Sequence, residues 1–424
     1  MADTSSLAPR AAALDLIVAV LTDKRGLGEV VARPPDSFAA LPPADRARAQ
    51  RLALETFRAH GRADHHLRRA LRKTPPASVM WILRMALTEM HVMGAPAHGV
   101  IHDAVEMTRH AGVSKLAGLV NAVLRQTGAG LDWAAAPVPR LPDWLRGALQ
   151  NAYGAKGTAA IEAAHQAPPP LDLTLKGDRS EGLEGVALPT GSLRLHAPGQ
   201  ITTLPGYSDG AWWVQDAAAA LPAQLLRDMR GARILDLCAA PGGKTMQLAA
   251  QGAQVTALDL SPARMARLRD NLARTGLEAE IVVADARDWR PARPFDAVLL
   301  DAPCSATGTL RRHPELPLIR GKEDVQALRG LQAALLDRVL DPGTGLVRQG
   351  GRVVYCTCSL LPSEGEDQVA AALARHDARI IPADLPGLPE GWRLPSGALR
   401  TRPDYWAELG GLDGFYIAHL QLPG

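Results

Sequence analysis

The sequence predicts a multidomain chain: an all-α bundle first, then a small mixed α+β module, then an α/β domain on a mostly parallel, doubly wound sheet. Three observations predict this. Up to about residue 127, apolar residues recur near the 3.6-residue helical period, with no β-branched alternation between them. From Val138 the texture changes to short strand-like pieces between Gly- and Asp-bearing turns. From Trp212 onward, apolar strands alternate with helices at the spacing of parallel α/β folds. The expected domains are residues 1–130, 131–205 and 206–424.

In the bundle, Ala11 to Leu21 is rich in Ala, Leu and Val, and Pro43 to His60 carries Leu52, Leu54 and Phe57 near helical spacing. Further helices are expected at 62–72, 77–92, 97–109 and 115–126. In 77–92, Val79, Ile82, Leu83, Ala86, Leu87 and Met90 lie along one side, which predicts core. Pro34-Pro35, Pro42-Pro43, Pro75-Pro76, Gly94 and Gly112 punctuate the connections. The middle module is expected to hold helices near 143–153 and 157–165, then strands at Leu171–Leu175 and Ser192–Leu195. Trp212, Trp213, Gln215 and Asp216 are expected at a lid or a core edge.

The α/β part begins with the strand Ala232–Leu237, which runs into Cys-Ala-Ala-Pro-Gly-Gly-Lys-Thr and a helix over 244–251. Strands follow at Val255–Leu260, Ala279–Val283, Phe295–Leu300, Arg352–Tyr355 and Phe415–Leu420. Ser261-Pro262 starts one helix with a cap and a Pro at its first position. Another helix is expected over 323–340, and a capping box at Ser363 and Glu366 is expected to open the next.

Bulk properties narrow the class. The chain has 424 residues, 47% of them apolar, with 39 Gly and 33 Pro, as in a folded protein rich in turns. No run approaches the roughly 18 to 20 apolar residues of a membrane span, and MADTSSLAPR lacks the pattern of a secretory signal. A cytoplasmic location is expected, and no membrane partner. The four cysteines, Cys238, Cys304, Cys356 and Cys358, are too few and too clustered for a disulfide framework. Net charge is only +3, but nine Arg or Lys face three acids between Asp45 and Lys73, a stripe that could track phosphates.

Acids close three successive strands: Asp236 in the first, Asp259 at the end of the second, Asp285 after the third. In open α/β sheets, ligands sit beyond the carboxyl ends of the strands. Pro241-Gly242-Gly243 makes a tight turn that lets backbone approach a ligand. Asp259 stands where an acid takes the two ribose hydroxyls of a nucleoside, Asp285 could meet its base, and Arg264 could support the pocket. Gly243-Lys244-Thr245 mimics the end of a phosphate-binding loop, but the first glycine of that motif would fall at Cys238. The Gly-x-Gly-x-x-Gly of nicotinamide enzymes is absent.

Asp301-Ala302-Pro303-Cys304 and Tyr355-Cys356-Thr357-Cys358-Ser359 each follow directly on an apolar strand. If those strands are neighbours, Cys304 and Cys358 open into one crevice beside an acid, an arrangement that suggests covalent catalysis. Methylation of a pyrimidine carbon needs it: a thiolate added at C6 makes C5 nucleophilic, an acid such as Asp301 counters developing charge, and a second thiol assists elimination. Methylating an oxygen or an exocyclic nitrogen needs no thiolate. Cys238 and Cys356 are expected as packed residues. A zinc site lacks the paired Cys-x-x-Cys spacing, so no metal is expected. Lys244 is placed to contact the acid or the nucleophile. Arg311 and Arg312, on the loop beyond Cys304, could hold backbone phosphates.

These residues resemble the NOL/NOP/Sun group of RNA cytosine-5 methyltransferases. The resemblance lies in Val214-Gln215-Asp216, Asp236 through Thr245, Asp259, Asp285, Asp301-Ala302-Pro303-Cys304-Ser305, Arg311-Arg312-His313-Pro314-Glu315 and Thr357-Cys358-Ser359-Leu360. The helical part resembles the antitermination factor NusB through Leu83-Arg84-Met85, Glu89 and Asn121-Ala122-Val123-Leu124-Arg125. That pairing is characteristic of the bacterial RsmB-like enzymes. The resemblance implies a Rossmann-like class I methyltransferase domain with a seven-stranded sheet, S-adenosylmethionine as cofactor, and cytosine in the 16S RNA of the small ribosomal subunit as substrate. It assigns the nucleophile to Cys358, assistance in release to Cys304, and contact with the base and the cofactor to Asp301, with Lys244 nearby. The turn of Cys238, Ala239, Ala240, Pro241, Gly242, Gly243 and Lys244 is assigned to the methionine part, Asp259 to the ribose and Asp285 to the adenine side. A monomer is expected, with no DNA partner. Transfer RNA as substrate, or a non-catalytic role in ribosome assembly, are the competing readings. The chain departs from the family at Glu315, usually aspartate, and at Ser363-Glu364-Gly365, where many relatives run Pro-Glu-Glu-Asn and where the substrate grip is expected to differ.

Overall fold

The computed structural model describes residues 4–128, 130–177, 182–196 and 199–424. The chain forms two compact units: one holds the residues up to Ala167 with Leu310–Gly321, the other Pro168–Thr309 with Lys322–Gly424. The expected middle module is thus divided, its helices in the first unit and its strands in the second.

The first unit is helical: Thr4–Asp23, Leu27–Ala32, Asp36–Ala39, Pro43–Ala70, Ala77–His91, Ala97–His110, Ala117–Gly128 and Asp143–Ala164. Pro42, Pro76, Pro96 and Pro142 each stand immediately before a helix, where a fixed φ and a missing N–H do no harm. Two expected helices, 43–60 and 62–72, are one, because Gly61 stays helical. A side chain there would meet Pro139, its Cβ lying 2.6 Å from the proline Cβ. The two expected at 143–153 and 157–165 are separated by Gly154 at φ 70°. Leu16, Ile17, Leu52, Phe57, Leu67, Ile82 and Leu87 are buried, as the periodicity predicts. Within this core Arg10 bridges Glu89 at 2.6 Å and Asp103 at 2.5 Å.

Leu310–Gly321 belongs to this helical unit. Arg311 is 2% exposed, and its carbonyl accepts Nη1 of Arg58 at 2.6 Å. Glu315 is fully buried and accepts the N–H of Leu27 at 3.0 Å. The expectation that Arg311 grips phosphate is therefore corrected: its guanidinium is packed inside the protein. Arg58 of the basic stripe is buried as well.

The second unit contains two sheets. The smaller is built from β1 (Leu171–Leu175), β2 (Val186–Ala187), β3 (Leu193–Leu195) and β4 (Trp212–Val214), in the order β2-β3-β1-β4. Trp212 and Trp213 are therefore buried strand residues, Trp212 packing with Leu173, Leu193 and Leu195, and not a lid. The larger sheet comprises β5 (Arg233–Leu237), β6 (Gln254–Asp259), β7 (Glu280–Val283), β8 (Phe295–Asp301), β9 (Val347–Thr357), β10 (Arg379–Ile381), β11 (Leu399–Arg400) and β12 (Tyr416–Gln421). Its order is β10-β12-β9-β8-β5-β6-β7, with β11 beside β12. The expected seven strands are there, and the short β11 is an eighth. The run from β9 to β7 is parallel, whereas β12 is antiparallel to both β9 and β10. From β5 the chain winds one way to β6 and β7, then returns to the other side as β8 and β9, so the switch point lies between β5 and β8. The expected capping box is absent: Pro362–Glu364 is a single 3-10 turn, Gly365 caps helix Glu366–Leu373 without a side-chain bond, and Glu366 pairs with Arg400.

Candidate active site

The switch point gathers most of the singled-out residues. After β5 the backbone turns sharply through Cys238 (φ 62°) and Gly242 (φ 105°), with a cis bond between Ala240 and Pro241. A Cβ on Gly242 would lie 2.8 Å from Leu268 Cγ, so this turn needs glycine on both conformational and steric grounds. Helix Gly243–Ala250 begins there, presenting Lys244 and Thr245.

Asp236 is fully buried. Its Oδ2 accepts the Thr245 hydroxyl at 2.6 Å, while Oδ1 has no hydrogen-bond partner among the described residues. Burial pushes its carboxyl up to about 7, against the opposing pull of Thr245 and Lys244. Asp259, also buried, accepts the N–H of Ala240 at 3.2 Å and of Ser261 at 2.9 Å. Arg264 approaches Asp259 at 3.6 Å and donates to the Ala240 carbonyl, bracing the turn. Asp285 pairs with Arg287 at 2.6 Å, and that hydrogen bond holds its carboxyl down to about 2. Arg287 escaped sequence reasoning, although a basic residue two positions past an acid was a visible signal. So did Leu260, which stands 66% exposed directly after Asp259.

On the other side of the switch point, Lys244 Nζ donates to Asp301 Oδ2 at 2.8 Å and lies 5.4 Å from the Phe415 ring centroid. Burial disfavours the ammonium, but Asp301 and neighbouring groups outweigh it and raise the Lys244 pKa. Because β8 and β9 are neighbours, Cys304 and Cys358 meet, their Sγ atoms 3.4 Å apart. Both thiols are half-buried. The hydrogen bond with Cys358, then burial, holds the Cys304 thiol well above its usual pKa. Cys356 is core, as expected, but its sulfur touches Asp301 Oδ1 at 3.4 Å, a contact the sequence did not suggest. Burial raises both the Cys356 and the Cys238 thiols.

A close backbone contact supports the thiol pair. Gly308 donates its N–H to the Cys358 carbonyl at 2.9 Å, and a Cβ on Gly308 would lie 1.8 Å from the Gly414 carbonyl oxygen. Two thiols, a lysine-held carboxylate and a three-acid strand edge thus share one end of the sheet. This arrangement can hold a nucleoside-bearing donor on one side of the switch point and expose a nucleophile on the other.

Known proteins resemble this chain along nearly its whole length. Residues 223–421 match the family described as 16S rRNA methyltransferase RsmB/F, and residues 7–128 match the NusB family. Ribosomal RNA small subunit methyltransferase B of Pseudomonas syringae pv. tomato is 37% identical, the match covering 97% of this chain and 96% of that protein. The protein of the same name from Serratia proteamaculans is 36% identical, covering 83% and 87% respectively. The solved structure of PH0851 shares the fold over 98% of both chains, with a TM-score of 0.74 at 21% identity. A methyltransferase homolog protein from Pyrococcus horikoshii matches 65% of this chain and 93% of its own, with a TM-score of 0.53 and 26% identity. The kinship makes the protein an S-adenosylmethionine-dependent methyltransferase: the chain belongs to the RsmB/F family and carries a NusB-family domain ahead of its catalytic half.

Proposed function

We propose that this protein methylates C5 of a cytosine in 16S ribosomal RNA, with S-adenosylmethionine as donor and Cys358 as a transient covalent catalyst. The 3.4 Å approach of Cys304 and Cys358 carries this reading, because methyl transfer to oxygen or to an exocyclic amine has no use for paired thiols. The name of the relatives, ribosomal RNA small subunit methyltransferase B, supports the substrate.

Cys358 Sγ adds to C6 of the ring, which makes C5 nucleophilic. Asp301, steadied by Lys244, accepts a hydrogen bond from the exocyclic amine of the base, and the Lys244 ammonium beside it supplies the positive charge that offsets the negative charge developing on the ring. After methyl transfer C5 carries both the methyl group and a proton. Loss of that proton to a base lets the C5–H electron pair re-form the C5–C6 double bond and expel Cys358 as a thiolate. The protonated Cys304, 3.4 Å from it, assists by donating a hydrogen bond to that leaving sulfur. Bound S-adenosylmethionine supplies an electrophilic methyl group. The residues present fit it: Cys238, Ala239, Ala240, Pro241, Gly242, Gly243 and Lys244 form a side-chain-poor turn, and the buried Asp236 Oδ1 beneath it lacks a partner among the described residues. In this reading Asp259 holds the ribose hydroxyls, Asp285 the adenine side, and Arg264 the turn itself. Exposed Arg68, Arg72 and Lys73, lining a concavity with Met80 and Arg84, offer the RNA a contact on the helical unit.

Sequence-resolved mapping of 5-methylcytosine in RNA from cells with and without the gene tests this. Loss of a small-subunit site on deletion supports the reading, and an unchanged map overturns it.

A further inference from the structure

The two thiols come from separate loops, and a buried carboxylate outside the mechanism above joins those loops. Glu364 ends the 3-10 turn Pro362–Glu364 and is fully buried. Its Oε1 accepts the backbone N–H of Ser305 at 2.9 Å and Nε2 of Gln332 at 3.0 Å. Its Oε2 accepts the hydroxyl of Ser359 at 2.6 Å and, in a shorter contact, that of Ser305. Ser305 follows Cys304 and Ser359 follows Cys358, so one side chain grips the residue after each cysteine. Gln332 also donates to the Pro303 carbonyl at 2.8 Å, which ties the residue before Cys304 to the same cluster. The Glu364 carbonyl accepts the hydroxyls of Tyr355 at 2.8 Å and Thr357 at 3.3 Å, both on β9.

The donors dictate what can stand here. The Ser305 N–H can only donate, the Gln332 Nε2 is turned toward Glu364 by its second bond to the Pro303 carbonyl, and Ser359 Oγ already accepts the Leu361 N–H at 3.0 Å. A group that only accepts, through two oxygens, satisfies all of them at once. Partly satisfied, such a buried network would loosen.

We infer that Glu364 is a positioning residue that holds the Cys304 and Cys358 loops in the register at which their thiols meet, and so governs both attack on the base and its release. It acts through Ser305 and Ser359, and the inference rests on the two-thiol reading above. Its charge is also among the causes that keep the Cys304 thiol protonated, after Cys358 and burial.

Glu364→Gln preserves size but turns an amide N–H toward donors. With an unmodified small-subunit ribosomal RNA transcript, single-turnover methylation should fall about tenfold or more, the scale on which small misplacements of reacting groups act, while cofactor affinity stays unchanged. In the free protein, bridging of Cys304 to Cys358 by dibromobimane, read by mass mapping of the linked peptides, should fall in parallel. Wild-type methylation or wild-type bridging overturns the inference. Should Glu364→Gln fail to fold, Ser305→Ala and Ser359→Ala divide the effect: the first should prolong the protein–RNA adduct, the second slow its formation. Equal effects from the two, or none, overturn it. Cys304→Ser in the otherwise intact chain is the control: absence of any adduct there sinks the two-thiol reading itself, and the bridging assay on free protein then judges Glu364 alone.

Discussion

Cys304 and Cys358 face each other with 3.4 Å between their sulfurs, each at the end of one of two neighbouring parallel strands. If Cys358 attacks and Cys304 assists release, their substitutions differ in kind. Cys358→Ser should abolish methyl incorporation while cofactor binding, measured by calorimetry, stays near normal. Cys304→Ser should accumulate a protein–RNA adduct that survives denaturation and shifts on a gel. Full activity in Cys358→Ser would reverse the assignment.

Gly308→Ala should disable the site without touching a reacting group. The added methyl would occupy space already filled by the Gly414 carbonyl, 1.8 Å away, and would press on the Cys358 carbonyl at 2.9 Å. Something in the backbone must move, and Cys358 is next to it. Methylation should drop about a hundredfold, while circular dichroism still shows a folded chain. Wild-type turnover would mean the loop yields at no cost.

Asp301→Asn leaves Lys244 charged, with side-chain exposure of 10%, beside a neutral amide. Breaking a buried pair costs about 3–5 kcal/mol, but Asp301 is 31% exposed, so the loss should be nearer 1–2 kcal/mol. Activity should fall much further, because the carboxylate is also the group proposed to face the base. Denaturant melts and methylation rates on the same sample separate the two effects.

The helical unit has its own weak point. Arg10→Ala removes the guanidinium that Glu89 and Asp103, both nearly fully buried, share, and leaves the half-exposed Arg48 near Glu89. The expected loss is about 3–5 kcal/mol, seen as early unfolding in a denaturant titration. A change under 1 kcal/mol would show that water reaches the acids.

Acid should destabilise the same unit through His165. Both of its ring nitrogens lack hydrogen-bond partners among the described residues, and burial, then Arg311 and Arg58, push its pKa down to about 3 from the usual 6.5. Between those values the unfolded chain binds the extra proton and the folded chain does not. Stability is therefore full above about pH 6.5 and falls as pH drops toward 3, by up to about 1.4 kcal/mol per pH unit from this group. His165→Gln should flatten that slope in denaturant melts between pH 6.5 and 4.5. An unchanged slope would assign the acid sensitivity to other groups, such as His419, held at about 4 by burial.

Much of this protein is legible in its amino-acid order. The helical period of 77–92, the prolines ahead of four helices, the acids at the ends of β5 and β6, and the two cysteine-bearing strand ends all express local physics: side-chain periodicity, backbone restriction and turn chemistry. A local pattern is set by neighbours a few positions away, so a linear reading captures it. The meeting of Cys304 and Cys358 hung on a condition that the sequence left open, that β8 and β9 be neighbours, and the sheet order meets it.

What only the tertiary structure decided is who pairs with whom across distance. Arg311 looked like a phosphate ligand and is enclosed beside Arg58 and His165. Trp212, expected at a lid or a core edge, is the heart of a small sheet. Glu364 looked like part of a substrate grip and instead binds the residues following both cysteines, one of them 59 positions away in the chain. A charged or polar side chain has no intrinsic destination. Whether it meets solvent, ligand or a buried partner depends on which donors and acceptors the packed chain leaves unsatisfied nearby, and that inventory exists only once the elements have come together.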